Sequence, residues 1–339
     1  MQLFSPFHYT LGCLASHTGY TGNMNAILRF LKDWTLPVAI VIGCSLYLCY
    51  WLLPALEPVG QVVGDIVDTT FPLFIFLTLL ITFCKVDFHQ LRPHSWHLWI
   101  SASQLLLVAA VVAAIMLTGL DMHHRMVAEA VLTCVIAPCA SAAPVVTGKL
   151  GGNLNTMTTY VLMSNVTASV LIPAVFPILE PAAGVTFGRA FLVILQQVAM
   201  VLLLPLVMGY IVQHHMEPLR QWVTIHRDLA FYTWAISLAM TAGITMRNIL
   251  CSGVPPVLLL TIALLTLAVC WLQFGIGHMV GRHCGEKVNT RQAMFQKNTG
   301  MAIWVAYMFL SPVASVGAGC YVLWQNIINS LELRSRNEE

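Results

Sequence analysis

Five consecutive residues near the C-terminus, Gln296-Lys297-Asn298-Thr299-Gly300, place a charge, amides, a hydroxyl and a glycine inside an otherwise apolar run. Lys297 is the only basic residue well inside any apolar run of this chain. A buried ammonium group costs several kcal/mol unless it is paired, so its position indicates a functional site. The alternative is that the long side chain reaches water from a position about two turns from the end of the run.

No carboxylate is an evident partner for Lys297, because Glu129, the one acid near the interior of a run, lies toward the opposite end. Three roles follow for the lysine. It could neutralise an anionic substrate, titrate and carry a coupling proton, or stand as a fixed cation in place of a transported metal ion. The residues alone leave all three open.

A second polar interruption lies in the fourth apolar run, Cys134-Val-Ile-Ala-Pro138-Cys139-Ala-Ser141-Ala-Ala-Pro144. Two prolines each remove a backbone donor and disfavour the α-conformation of the residue before them. The small residues between them allow another backbone to approach closely. The pattern indicates a broken helix whose half-helix ends face a binding site. A merely kinked helix in a tight bundle is the structural alternative.

Two asparagines follow the two interruptions at the same interval. Pro138 precedes Asn165 by 27 residues, and Thr299 precedes Asn326 by 27 residues. We therefore expect both amides to line a cavity, with ordinary interhelical hydrogen bonding as the alternative. The residues predicted to bind substrate are Lys297, Gln296, Asn298, Thr299, Ser141, Cys139, Asn165 and Asn326. Pro138, Pro144 and Gly300 are predicted to interrupt the helices.

Familiar catalytic and metal-binding patterns are absent from the sequence. The 10 cysteines form no CxxC, the 12 histidines cluster in loops or at run ends, and no HExxH occurs. No GxxxxGK[ST] phosphate loop and no hydrolase nucleophile elbow is present. We predict that the chain is not an enzyme, holds no metal and needs no cofactor, so its energy would come from a gradient or a partner.

Composition sets the environment of these residues. Only 9 % of the 339 residues are charged, 58 % are hydrophobic, and the mean hydropathy is +0.79. These values exclude a disordered chain and an ordinary cytosolic enzyme, and they indicate a lipid solvent. A formal charge of +2 gives no basis for a nucleic-acid partner. The lipid bilayer is the expected partner, and the oligomeric state is open.

Ten apolar runs are long enough to be membrane spans, since roughly 20 residues cross a bilayer core. They cover residues 36–55, 70–86, 95–119, 126–150, 154–179, 186–213, 228–247, 254–281, 288–310 and 313–333. We expect an all-α polytopic membrane protein. Residues 1–34 would be an N-terminal tail and lead-in, residues 35–335 one transmembrane domain, and residues 334–339 a short tail. Residues 1–23 do not read as a signal peptide, and whether they are translated or ordered is open.

Basic residues are distributed unevenly over the loops of this ten-span arrangement. Arg125, Arg189 and Arg247 fall on one side, and 12 of the 16 Lys and Arg residues fall on the other, with Lys297 inside a run. Positive residues stay on the cytoplasmic side of a membrane. We therefore predict a multi-pass protein of the cytoplasmic membrane with both termini in the cytoplasm. Ten spans also divide into two five-helix repeats of opposite topology, residues 35–180 and 186–333.

At the fourth and ninth runs the chain resembles the bile acid:sodium symporter family, over about residues 30–335. The features that carry the resemblance are the polar pair of runs, Asn298-Thr299-Gly300, Leu323-Trp324-Gln325-Asn326 and the turn Gly151-Gly152-Asn153. The resemblance implies an inverted repeat whose broken helices 4 and 9 cross near the membrane midplane. It also implies a core domain of spans 3–5 and 8–10 and a panel domain of spans 1, 2, 6 and 7. Substrate would bind between them and gain access alternately from each side.

The sodium ligands expected from the resemblance are missing. Sodium-coupled members have a Ser-Asn pair where this sequence has Ala143-Pro144, and a Glu where it has Ala293. Lys297 stands at the position of their Gln. Sodium prefers several oxygen ligands and an ammonium would repel it. We therefore predict coupling to protons or to no ion rather than to sodium, with Lys297 replacing the lost charge.

The resulting prediction is a secondary transporter of a small or amphipathic organic anion. Ala137-Pro138-Cys139 also resembles the arsenite efflux permeases, in which the thiolate of Cys139 would be a soft ligand. An alternative of another class is a membrane sensor or scaffold that keeps the fold without transport. The sequence identifies neither the substrate nor the direction of transport.

Overall fold

The structure, a computed structural model, describes residues 35–181, 184–226 and 229–338. The predicted N-terminal segment, residues 1–34, lies outside the described residues. Fourteen α-helices follow one another in this part of the chain. They are α1 Thr35–Leu52, α2 Glu57–Phe83, α3 Ser95–Leu117, α4 Met122–Ile136, α5 Ala143–Lys149, α6 Leu154–Leu179, α7 Phe187–Leu202, α8 Leu204–His215, α9 Glu217–Ile225, α10 Leu229–Cys251, α11 Pro256–Cys284, α12 Lys287–Phe295, α13 Thr299–Phe309 and α14 Pro312–Glu338.

The helices confirm an all-α protein with membrane-spanning character. Within residues 35–181, 184–226 and 229–338, five segments are long and apolar enough to cross a bilayer, each between 23 and 30 residues. They are Pro54–Phe83, Ser95–Leu117, Leu154–Leu179, Phe187–His215 and Pro256–Cys284. Each of the ten predicted runs falls on a helix or on a pair of consecutive helices. The last helix continues to Glu338, so the predicted tail at 334–338 extends α14.

The second run was placed too short, because its helix begins at Glu57 and not near residue 70. Asp65 and Asp68 ended the apolar pattern in sequence. In the structure the Asp68 carboxylate accepts two hydrogen bonds from Arg247 of α10, both 2.9 Å long. A partner on another helix thus supplies the positive charge that the local sequence lacks.

Local signals explain several helix ends. Asn153 caps α6 by accepting hydrogen bonds from the backbone N–H groups of Asn155 and Thr156. Gly285 ends α11 with φ of +77°, a left-handed conformation that glycine adopts without steric cost. Pro205 follows the break between α7 and α8. Proline has no backbone N–H, so it cannot donate a hydrogen bond to the preceding turn.

The helices pack into two groups. In the first, α10 packs against α1 and α2, and α2 packs against α8. In the second, α4 packs against α3, α11 and α14, while α12 packs on α11. The largest apolar core extends through both groups and includes Phe71 of α2 together with Trp96, Ile136 and Ile303. This grouping places the two interrupted helix pairs, α4–α5 and α12–α13, side by side.

Candidate functional site

The two interruptions meet through their backbones. Cys139 and Lys297 form an isolated antiparallel β-bridge between the segment after α4 and the segment after α12. The N–H of Ala140 donates to the carbonyl of Gln296 at 2.9 Å, and the N–H of Asn298 donates to the carbonyl of Pro138 at 2.8 Å. Backbone groups freed by the interruption of one helix are therefore satisfied by the interruption of the other.

The first interruption is braced from both sides by polar side chains. The N–H of Cys139 donates to Ser164 Oγ of α6 at 2.8 Å. From α3, Gln104 Nε2 donates to the carbonyls of Val135 and Ala137, each at 3.0 Å. These bonds satisfy carbonyls that the end of α4 leaves without helical partners.

The second interruption has an equivalent brace. Gln325 of α14 accepts a hydrogen bond from the Lys297 N–H at 2.9 Å, and its amide donates to the Lys297 carbonyl at 3.3 Å. The Tyr321 hydroxyl donates to the carbonyl of Phe295, the last residue of α12, at 2.7 Å. Gln273 of α11 in turn donates to that hydroxyl at 2.9 Å.

Ser164 and Gln325 occupy equivalent places in a repeated hexapeptide that the sequence analysis missed. Residues 160–165 read Tyr-Val-Leu-Met-Ser-Asn and residues 321–326 read Tyr-Val-Leu-Trp-Gln-Asn. The final asparagine of each also makes the same bond, since Asn165 donates to the Val161 carbonyl and Asn326 to the Val322 carbonyl. A search for self-similarity would have found the repeat.

Lys297 is buried at this crossing, with 1 % of its surface exposed. Its Nζ atom has no hydrogen-bond partner among the described residues. Two oxygens near the interruptions share this condition, Oε1 of Gln296 and Oδ1 of Asn165. Burial of an ammonium group without a partner is unfavourable in a protein interior.

A cavity of about 2220 Å³ extends from the crossing to one end of the molecule. Of the predicted site residues, Ser141, Pro144, Gln296 and Asn326 line it. Its walls include apolar residues from both helix groups, among them Phe83, Val161 and Trp234. The remaining predicted residues are not among those lining this cavity, namely Cys139, Lys297, Asn298, Thr299 and Asn165, with Pro138, Gly300, Ala143 and Ala293.

Two of these predicted binding residues have local structural roles. The Asn298 side chain caps α13 by accepting from the Met301 N–H at 3.1 Å. Thr299 is the first residue of α13, and Gly300 the second. The helix break therefore precedes Gly300, while Pro144 lies in the first turn of α5.

Basic side chains dominate the charged residues of the cavity lining. Lys85, Lys149, Arg220 and Arg334 line it, against one acid, Asp87. Arg220 is also paired with Glu217 at 2.6 Å. These four basic residues belong to the side that the charge distribution predicts to be cytoplasmic.

No group of three or more His, Cys, Asp or Glu side chains is placed to hold a metal ion within the described parts of the chain. The predicted sodium positions Ala143 and Ala293 are fully buried and carry no side-chain oxygen. The crossing therefore presents amide oxygens and one ammonium group, without a carboxylate from these positions.

Long apolar helices, two interrupted pairs and a cavity between helix groups define a multi-pass membrane transporter. The family model of the Sodium Bile acid symporter family matches residues 72–270, more than half of the chain. The protein belongs to this family. No curated protein matches the chain. The matched region contains the first interruption and ends before Gln296–Gly300 of the second.

Proposed function

We propose that this protein is a secondary transporter that moves a small or amphipathic organic anion by alternating access. The cavity carries the proposal. It joins a basic mouth to uncharged polar groups at the helix crossing through apolar walls. An amphipathic anion would place its charge near Lys149 and Arg220 and its polar groups near Gln296 and Asn326.

The repeated hexapeptide supports two inverted five-helix repeats. In each copy the fifth residue, Ser164 or Gln325, accepts a hydrogen bond from the backbone N–H at the centre of an interruption. The two copies thus stabilise the two crossing segments in the same way. This is expected when two repeats meet at a central substrate site. Ten spans and termini on one side would follow from that arrangement.

Coupling in this proposal does not use a sodium ion at the family's usual position. Alanines stand at two predicted ligand positions, and Lys297 lies in the crossing. The burial of Lys297 away from the cavity lining favours a cation that belongs to the protein over direct pairing with the substrate. The lysine would either stay charged or exchange a proton during the cycle.

Uptake into proteoliposomes tests the proposal. A steroid sulfate, a bile acid and a short dicarboxylate would be offered under a sodium gradient, a proton gradient or no gradient. We expect uptake without sodium, and its loss in Lys297→Gln. Lys287→Gln is the matched control, because Lys287 is an exposed lysine on α12, the same interrupted helix.

Sodium-driven uptake that survives Lys297→Gln would overturn the substituted-charge mechanism. Absence of uptake for every anion, with the fold intact, would favour the sensor or scaffold alternative. The arsenite alternative remains a prediction, and the buried Cys139 does not line the cavity. Arsenite uptake abolished by Cys139→Ser would support it.

A further inference from the structure

At the end of the molecule away from the basic mouth, the two helix groups are closed against each other by the outer half of α10. Arg247 of α10 forms a bidentate ion pair with Asp68 of α2, with both N–O distances 2.9 Å. The same guanidinium lies over the ring of Tyr307 of α13, 5.1 Å from its centroid. Arg247 thus connects its own helix group to an interrupted helix of the other group.

The next residue of α10 adds a buried hydrogen bond between the two helix groups. The Asn248 amide donates to Ser315 Oγ of α14 at 2.6 Å, and Ser315 donates to the Pro312 carbonyl at 2.6 Å. Asn248 and Ser315 are both buried. Hydrogen bonds between helices stabilise membrane proteins, and this one joins the two helix groups.

Gly319 of α14 permits the closest approach at this surface. A Cβ atom on Gly319 would lie 2.3 Å from Cγ2, 2.5 Å from Oγ1 and 2.9 Å from Cβ of Thr245 in α10. The branched Thr245 side chain cannot rotate out of the way of all three contacts. Any larger residue at 319 therefore requires α10 and α14 to separate.

The opposite half of α10 does not close against the second group in this way. Trp234, near the start of α10, lines the cavity together with Leu323 and Asn326 of α14. The two helices thus stay packed together as far as Leu238 and Val322, and the cavity begins beside that contact, at Trp234 and Leu323. This is the geometry of a conformation that is open at the basic mouth.

We infer that Arg247, Tyr307, Asn248, Ser315, Thr245 and Gly319 form a gate that must open when the cavity closes at its basic mouth, with Asp68 holding Arg247 in place. The inference rests on the alternating access of the proposed function. The gate is built from contacts of modest strength, as a surface that opens in every cycle requires. Removing a gate contact would shift the equilibrium between the two conformations toward the opposite one by the free energy that the contact contributes.

Thiol labelling in detergent tests the gate without a substrate and without knowledge of membrane orientation. Ser315→Cys reports on the gate, and because it alters one gate contact it is the reference background for every variant; Thr158→Cys reports on the cavity, which Thr158 lines. Peptide mass spectrometry reads each position separately from the native cysteines. We expect Arg247→Gln to accelerate labelling at position 315 about fivefold, as loss of the cation–π contact between the two groups would give, and to slow it at position 158.

Matched controls separate the gate from general loosening. Arg189→Gln removes an exposed arginine predicted on the same face, and Gly275→Ala adds a Cβ where no atom lies within 4 Å. Neither control should change either rate. Gly319→Ala should change the two labelling rates in the same directions as Arg247→Gln. Adding Thr245→Ala to Gly319→Ala should bring both rates part of the way back. Exchanging the charges in Asp68→Arg with Arg247→Asp keeps an ion pair within the first group but removes the cation from Tyr307, so this double variant should label at position 315 as fast as Arg247→Gln.

A covalent lock gives the converse result. Asn248 Nδ2 and Ser315 Oγ lie 2.6 Å apart across the gate, so the double variant Asn248→Cys with Ser315→Cys offers two thiols for cross-linking the two helix groups. Oxidation should hold position 158 reactive and stop transport, and reduction should restore transport.

If Arg247→Gln raises the labelling rate at both positions 315 and 158, or at neither, the gate proposal is wrong. Uptake that continues in the fully oxidised pair would also overturn it. Opposite changes at the two positions in a protein that carries no organic anion would support the gate and refute the proposed function.

Discussion

Gln325 hydrogen-bonds both backbone groups of Lys297, accepting from its N–H at 2.9 Å and donating to its carbonyl at 3.3 Å. A single side chain from α14 thus substitutes for the helical partners that the break before α13 removes. The lysine is held by its backbone, while its Nζ atom has no partner among the described residues.

Gln325→Leu should destabilise the protein. It removes both hydrogen bonds and leaves the buried Lys297 N–H unpaired, while the Lys297 carbonyl keeps the bond from the Thr299 N–H, so the cost is about 2 kcal/mol. The midpoint of thermal unfolding in detergent should fall by several degrees. Gln196→Leu is the control, because Gln196 is exposed on α7 and should tolerate an apolar side chain. Equal midpoints for the two variants would contradict the brace.

Lys297→Met should raise stability while it abolishes transport. Methionine has similar length, and it removes a buried ammonium group that has no partner among the described residues. The measurements are the unfolding midpoint in detergent and anion uptake in proteoliposomes. A lower midpoint than wild type would show that the ammonium group stabilises the crossing. Unchanged uptake would exclude the lysine from coupling.

Gly152→Ala should destabilise the turn between α5 and α6. A Cβ there would lie 2.5 Å from Thr147 Cγ2 and 2.6 Å from Asn289 Oδ1. Asn289 holds this turn against α12, accepting from the Asn153 N–H and donating to its carbonyl. Gly148→Ala is the control, because its nearest neighbour would be 3.6 Å away. Limited proteolysis of the two variants at this turn measures the difference, and equal cleavage rates would refute the packing argument.

Lys149→Gln should raise KM for an anionic substrate several-fold and leave the maximal rate almost unchanged. Lys149 is exposed at the cavity mouth, so its effect acts through the local potential and is screened by salt. Uptake kinetics at low and high ionic strength measure this. Arg282→Gln, an exposed charge outside the cavity lining, should have no effect. A KM change that persists at high salt would indicate direct contact instead.

The sequence predicted the helical class, the family and the two interruptions, because apolar runs and paired prolines act locally. It placed the start of α2 wrongly, because the Asp68–Arg247 pair joins residues 179 positions apart. The bracing roles of Gln104 and Gln273 were missed for the same reason, since a buried amide in an apolar helix carries no sign of its partner. Whether Lys297 and the asparagines bind substrate stays a prediction.

The bridge between Cys139 and Lys297 is held by main-chain hydrogen bonds of the residues beside them, from Ala140 to Gln296 and from Asn298 to Pro138. Main-chain hydrogen bonds depend little on which side chain is present, so the residue at either position can change while the bridge remains. A lineage could therefore exchange an ion-binding side chain for a lysine in a single substitution and keep a folded protein. Because main-chain bonds hold the crossing together, the fold can be kept in evolution while the side chains that bind an ion change.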